Sequence, residues 1–227
     1  MSSFGLFILC LLVPLAFGMW AQHKVKSTFR RYAEVPEDSG MNGAQIAERI
    51  LIANGLTDVP VRSVPGWFTD HYDPRTRSVH LSEPVFGGTS ISSTAVAAHE
   101  VGHAIQHAKA YAPMTIRSAL WPVTAFASST WMILLFGGAI LGFLGLVYLA
   151  VALYAAVVIF QFVTLPVEFD ASRRAAVQLK ELGIANADES EGVSRVLRAA
   201  AMTYVAGALA ALSQLIYFAT VFLGNRQ

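Results

Sequence analysis

The stretch Phe143-Leu-Gly-Leu-Val-Tyr-Leu-Ala-Val-Ala-Leu-Tyr-Ala-Ala-Val-Val-Ile-Phe-Gln-Phe-Val163 contains no charged side chain. It matches the length of about 20 residues that a helix needs to cross the hydrocarbon of a bilayer. Upstream the charge-free run continues to Ala119, too far for one crossing, with Gly137, Gly138, Gly142 and Gly145 clustered near its middle. Residues 119–163 therefore read as a helical hairpin with a very short connection, its spans near 119–139 and 144–164. The same glycines also suit close packing between helices. Two more apolar segments, 3–21 and 202–223, raise the count to four. The last is diluted by Ser213, Gln214 and several alanines, and could instead pack within the bundle. Composition agrees, with 55% hydrophobic and 14% charged residues among 227 and a positive mean hydropathy, values too apolar for an ordinary soluble domain.

The chemistry flanks this hairpin. Upstream, Ala95-Val-Ala-Ala-His99-Glu100-Val-Gly-His103-Ala-Ile-Gln-His107 places an H-E-x-x-H pattern in a stretch that reads as helix, with Ser93 or Thr94 as its cap. Histidines four apart lie one turn apart on one helix face, so His99 and His103 can grip one zinc ion, with Glu100 beside it as base. A third ligand is missing. Position 109 is Lys and position 106 is Gln, which excludes the metzincin pattern. His107 lies about 12 Å along the axis from His99, too far for one zinc with bonds near 2 Å; it reads as a polar residue near the helix end. Downstream, Leu165-Pro-Val-Glu168-Phe-Asp170-Ala-Ser172-Arg173-Arg174 follows the apolar hairpin and is expected to open a new helix. Glu168 completes a His2Glu set, which leaves one position for water. Asp170 is the other candidate ligand, or an acceptor for a ligand histidine's free N–H, or an acidic residue of a first helical turn. His99 and Glu168 share one side of a membrane only if the chain between them crosses an even number of times, and two passes satisfy this.

The His99-Glu100-Val-Gly-His103-Ala-Ile-Gln segment, together with Asp70-His71-Tyr72-Asp73-Pro74, Val79-His80-Leu81-Ser82 and Glu168-Phe-Asp-Ala-Ser172, resembles the YugP-type neutral membrane zinc metallopeptidases. The resemblance covers nearly the whole chain. It implies a membrane-embedded zinc endopeptidase of bacterial plasma membranes, with His99, His103 and Glu168 as metal ligands and Glu100 as base. It carries an activity class and no particular substrate. The Glu-Phe-x-Ala arrangement is more remotely similar to HtpX-type and Ste24-type peptidases, but those place Asp where this chain has Ser172, so the use proposed for that Asp does not transfer.

Charge tests the topology separately. Fifteen of the sixteen Lys and Arg residues lie in 24–117 and 173–198, and only Arg226 lies elsewhere. The positive-inside rule then places both motif-bearing segments in the cytoplasm and both termini outside. Ala16-Phe-Gly18 has the look of a signal-peptide cleavage site, but no basic residue precedes the apolar run and a basic cluster follows it, so a retained anchor is expected. Cys10 is the only cysteine, which precludes an intrachain disulfide.

These readings divide the chain into an N-terminal anchor (1–23), a cytoplasmic zinc-helix domain (24–118), a transmembrane hairpin (119–164), a cytoplasmic helical segment carrying the third ligand (165–201) and a C-terminal transmembrane helix (202–227). The fold expected is mainly α, a multi-pass membrane protein with a zincin-like cytoplasmic domain containing a small β-hairpin. Apolar spacing predicts a helix over 43–54, and Val59–Val64 with Thr76–Ser82 suggests a small antiparallel sheet. Residues 76–82 would then offer an edge for an extended substrate. His71, Tyr72, His80, Trp67 and Arg173 are candidates to line the cleft or meet the oxyanion. There is no Gly-rich phosphate loop, and the net charge of +1 does not suggest a nucleic-acid partner. The function expected is peptide hydrolysis by a membrane zinc endopeptidase using one ion. The competing readings are an intramembrane zinc protease, against which the short apolar run around the motif argues, and a zinc-stabilised scaffold without turnover.

Overall fold

The computed structural model describes residues 3–223. Twelve described elements follow in order: α1 (Ser3–Phe7), a π-helical turn (Ile8–Leu12), α2 (Val13–Ala33), α3 (Gly43–Ala53), β1 (Val61–Val64), β2 (His71–Asp73), β3 (Ser78–Ser82), α4 (Glu83–Phe86), α5 (Ile91–Ala108), α6 (Ala112–Leu141), α7 (Leu144–Glu181) and α8 (Ala187–Leu223). The chain divides into two compact units. One comprises the described residues up to Gln22, Thr115–Leu165 and those from Thr203; the other comprises His23–Met114 and Pro166–Met202.

The first unit is helical. Four helices, Gly5–Ala33, Ala112–Leu141, Leu144–Glu181 and Ala187–Phe222, are long and apolar enough to cross a membrane. The turn between α6 and α7 is made at Gly142, whose φ of 65° suits a residue without Cβ. Gly138 has the other expected use: a Cβ there would stand 3.0 Å from the backbone nitrogen of Val147. Trp131, Leu135, Val147, Ala150, Tyr154, Val158 and Ala211 form this unit's core. Tyr154 donates its hydroxyl proton to Gln214 Oε1 at 2.7 Å. The polar residue that dilutes the fourth span thus answers a buried phenol, as a polar group away from water must.

The second unit is built around α5, which is buried on nearly all sides and packs against α3, α4, β2 and β3. Small residues make this close packing feasible: Ala95, Ala97, Ala98, Val101 and Ala104 are almost wholly inaccessible. Ser90 caps the helix, accepting from Ser93 N–H at 3.2 Å. The cap expected at Ser93 or Thr94 thus sits three or four residues earlier, and both residues are buried inside the helix. α3 starts at a capping box in which the Asn42 and Gln45 side chains each accept the other's backbone N–H.

Two expectations need correction here. Val61–Val64 and Ser78–Ser82 do pair, but in parallel, with Arg62 beside His80. The antiparallel partner of β3 is the short strand β2, in the register His71 to His80, and the order β1-β3-β2 makes β3 central. The turn at Asp73-Pro74 closes the β2–β3 hairpin; Asp73 accepts from Arg75 N–H and Thr76 Oγ1–H, both at 2.8 Å. The outer strands are β1 and β2, so β3 has no free edge to give a substrate. Second, Glu168 does not open a helix. α7 runs without a break through Pro166. Proline removes one N–H from the ladder, a loss of about 3 kcal/mol in a helix interior. The buried face formed by Val167, Ala171, Ala175 and Leu179 offsets that loss.

Candidate metal centre

α5 presents His99 and His103 one turn apart, their ring centroids 4.8 Å from each other. α7 brings Glu168 to meet them, with Oε2 3.3 Å from His99 Nε2 and 3.6 Å from His103 Nε2. One ligand atom from each of the three residues lies within 4.8 Å of the other two, and among the described residues no other group of three His, Cys, Asp or Glu converges in this way. Glu168 and His103 are buried, and His99 is nearly so. The sequence places these residues roughly seventy positions apart; Gly102 lets them meet. A Cβ at Gly102 would stand 2.5 Å from the carbonyl oxygen of Ala171, so the helices touch backbone to backbone one residue from His103.

The far ring nitrogens are also held. Ser172 Oγ lies 3.2 Å from His99 Nδ1, and His103 Nδ1 donates to Gln106 Oε1 at 3.0 Å. Each imidazole is thereby turned with Nε2 toward Glu168. Neither contact is among those expected from the sequence. Their signal is the helical spacing itself, since Gln106 follows His103 by three residues and Ser172 follows Glu168 by four, each on the same helix face as one of the three converging residues.

Two nitrogens and one carboxylate oxygen suit zinc. The spacing suits it too, because ligand atoms of a tetrahedral ion with bonds near 2 Å lie about 3.3 Å apart. Asp170 and His107 stand outside the group. Asp170 accepts hydrogen bonds from Gln106, Arg173 and Arg174. His107 Nδ1 lies 2.8 Å from the Tyr72 hydroxyl, one turn of helix beyond His103.

Glu100 is buried beside the three donors. Burial pushes its carboxyl up to about 7; His99 and a hydrogen bond from the backbone N–H of Tyr72 oppose this, and the negative charges of Glu168 and Asp70 add to it. Glu168 is driven the other way. Burial alone would raise it, but hydrogen bonds from His103 and His99 and their charge outweigh burial and hold it well below the usual carboxylate range. The two carboxylates of one pocket are thus separated in basicity, one fixed as an anion and one able to hold a proton near neutrality.

The other expected cleft residues scatter. His71 and His80 stack on each other, 4.6 Å between centroids and 5° between planes. Trp67 is exposed in the loop after β1, and Arg173 is an exposed partner of Asp170. Tyr72 reaches the centre through its backbone. α5 is not among the four helices long and apolar enough to cross a membrane.

Over residues 7–223 the chain matches the family described as "Putative neutral zinc metallopeptidase". It is 49% identical to the "Putative membrane protease YugP" of Bacillus subtilis (strain 168) over 221 residues, which cover 97% of this chain and 98% of that protein. No solved structure matches it.

Proposed function

The chain belongs to the neutral zinc metallopeptidase family, and we propose that it is a membrane-bound endopeptidase using one zinc ion held by His99, His103 and Glu168, with Glu100 as general base. The convergence of those three donors beside a buried, raised Glu100 carries the reading. A zinc bound there supplies Lewis acidity, polarising a carbonyl oxygen and making water easier to deprotonate. The protein's own residues do the rest. His99 and His103, turned by Ser172 and Gln106, present Nε2 lone pairs, and Glu168 contributes the negative charge. The Glu100 carboxylate takes the proton from the water that attacks the scissile carbonyl carbon and delivers it to the departing amine nitrogen. A group that holds a proton near neutrality suits both halves of that transfer.

The substrate is a polypeptide, and the bilayer is the protein's second partner. We assign the site-bearing segments 24–118 and 165–201 to the cytoplasmic face, on the strength of the basic residues they carry. The function is tested by metal analysis and mass spectrometry of cleavage products on the wild type and Glu100→Gln in one membrane preparation. The expected result is one zinc per chain in both and cleavage only in the wild type, abolished by chelation and restored by zinc. Cleavage by Glu100→Gln at the wild-type rate would sink the assignment.

A further inference from the structure

Gln106 has no accessible surface and lies one helical turn beyond His103, where the family reading gives it no task. Its amide makes three contacts at once. The nitrogen donates to Val167 C=O at 2.8 Å and to Asp170 Oδ2 at 2.9 Å, and the oxygen lies 3.0 Å from His103 Nδ1. Only one amide orientation serves this environment. A backbone carbonyl can only accept, and Asp170, paired with Arg173 and Arg174, is held as an anion that can only accept too. Both therefore demand the NH2 group. The amide oxygen is left facing His103, and an oxygen there can only accept, so His103 carries a proton on Nδ1, and in the neutral form that binds a metal its lone pair is on Nε2. That is the nitrogen directed at Glu168.

From this geometry we infer that Gln106 is a positioning residue for the metal centre: its amide, locked by Asp170 and Val167, selects the tautomer and orientation in which His103 can bind an ion. The chain of command runs from two arginines at the surface, through a buried carboxylate and a neutral amide, to the ligand. The neutral link is the distinctive part. A carboxylate in direct contact with His103 would draw its Nδ1 proton and add negative charge to the ion's surroundings; the amide passes on the orientation and leaves the charge behind on Asp170. Arg174 stacks over the Tyr111 ring, 5.6 Å from the centroid, which braces the outer end of the relay.

The inference rests on the zinc reading of the site, and its test measures metal binding rather than peptide cleavage. Zinc affinity of the full-length protein in detergent would be measured by competition with a chromophoric chelator, and the visible absorption of the cobalt(II) form recorded beside it. Gln106→Leu, close in volume, should bind zinc roughly 10- to 100-fold more weakly, the usual effect of losing a partner of a ligand histidine, with an altered cobalt spectrum. Gln106→Glu alone should also bind weakly, because its carboxylate would face Asp170 and a carbonyl with no donor between them. Adding Asp170→Asn should recover at least about tenfold in affinity over Gln106→Glu, since the amide introduced at position 170 then donates to the carboxylate introduced at position 106, which still accepts from His103. Wild-type affinity and spectrum in Gln106→Leu would overturn the inference, as would a double variant no better than Gln106→Glu. A wild-type chain that takes up no zinc would instead overturn the metallopeptidase reading beneath it.

Discussion

Gly102 and Ala171 meet backbone to backbone: the carbonyl oxygen of Ala171 occupies the space where a side chain at 102 would begin, 2.5 Å from an ideal Cβ. The glycine inside the H-E-x-x-H segment is therefore a spacer of zero thickness between the helix that bears two donors and the helix that bears the third. Gly102→Ala should push α5 and α7 apart by a few tenths of an ångström or more, costing about 1–3 kcal/mol as overpacking does. Thermal unfolding should show a lower midpoint and metal analysis fewer than one zinc per chain, with Gly102→Val worse in both. An alanine variant with wild-type stability and zinc content would show that the helices have slack.

Ser172 should matter to the ion without touching it. Its hydroxyl is the partner of His99 Nδ1, so Ser172→Ala should weaken zinc binding by about tenfold, the lower end of what such partners contribute. Ser172→Asp should bind zinc at least as tightly as the wild type, because a carboxylate accepts the same N–H more strongly. Chelator competition on the three proteins gives the order directly.

In zinc-free protein, Glu100 makes stability depend on pH with a definite sign. Its carboxyl is raised from 4.5 to about 7 by burial, so the folded chain holds a proton that the unfolded chain has already released. The corresponding stability is present below about 4.5, falls as pH rises through the folded value near 7, and stays lost above it. The full difference is on the order of 3 kcal/mol. Glu100→Gln cannot ionise and still accepts from the Tyr72 N–H, so in chelator it should melt at a higher temperature than wild type at pH 8, and the gap should shrink at pH 5. Equal melting at both values would place the carboxylate in contact with water.

If both site-bearing segments face the cytoplasm, single cysteines at the exposed positions Ala108 and Asp188 should react alike. With Cys10 replaced by serine, neither should be labelled by a membrane-impermeant maleimide in intact cells, and both should be labelled once the membrane is opened. Labelling of one but not the other in intact cells would break the parity on which the centre depends.

Spans and motif were legible because each is a pattern that one helix carries alone. Absence of charge from 119 to 163 can be read without knowing what packs against it, and so can two histidines one turn apart. The approach of Glu168 to the two histidines was legible for a related reason, since it is an acidic residue just past a long apolar run. The sheet was misread because neighbouring β-like segments suggest a hairpin, whereas His71-Tyr72-Asp73 is too short and polar to announce itself as the strand that takes that place. Pro166 looked like a helix start because its local cost is visible in the sequence and the buried face that offsets it is not. Ser172 and Gln106 stayed hidden because their roles exist only once α5 and α7 cross. Polar residues of that size have many uses, and the crossing chooses one.

The unbroken course of α7 through Pro166 puts a rule of phase on the chain. Each residue added to or removed from a helix turns everything beyond it by about 100° and shifts it by about 1.5 Å. A loop between Val163 and Glu168 would absorb such an insertion; a helix cannot. Length changes of one or two residues in that interval should therefore be the most damaging, because they turn the carboxylate by about 100° to 160° from its original bearing, whereas three or four bring it back to within about 60°. The segment that looks most like an interchangeable run of apolar letters is, at its end, the part of the sequence least free to change its count.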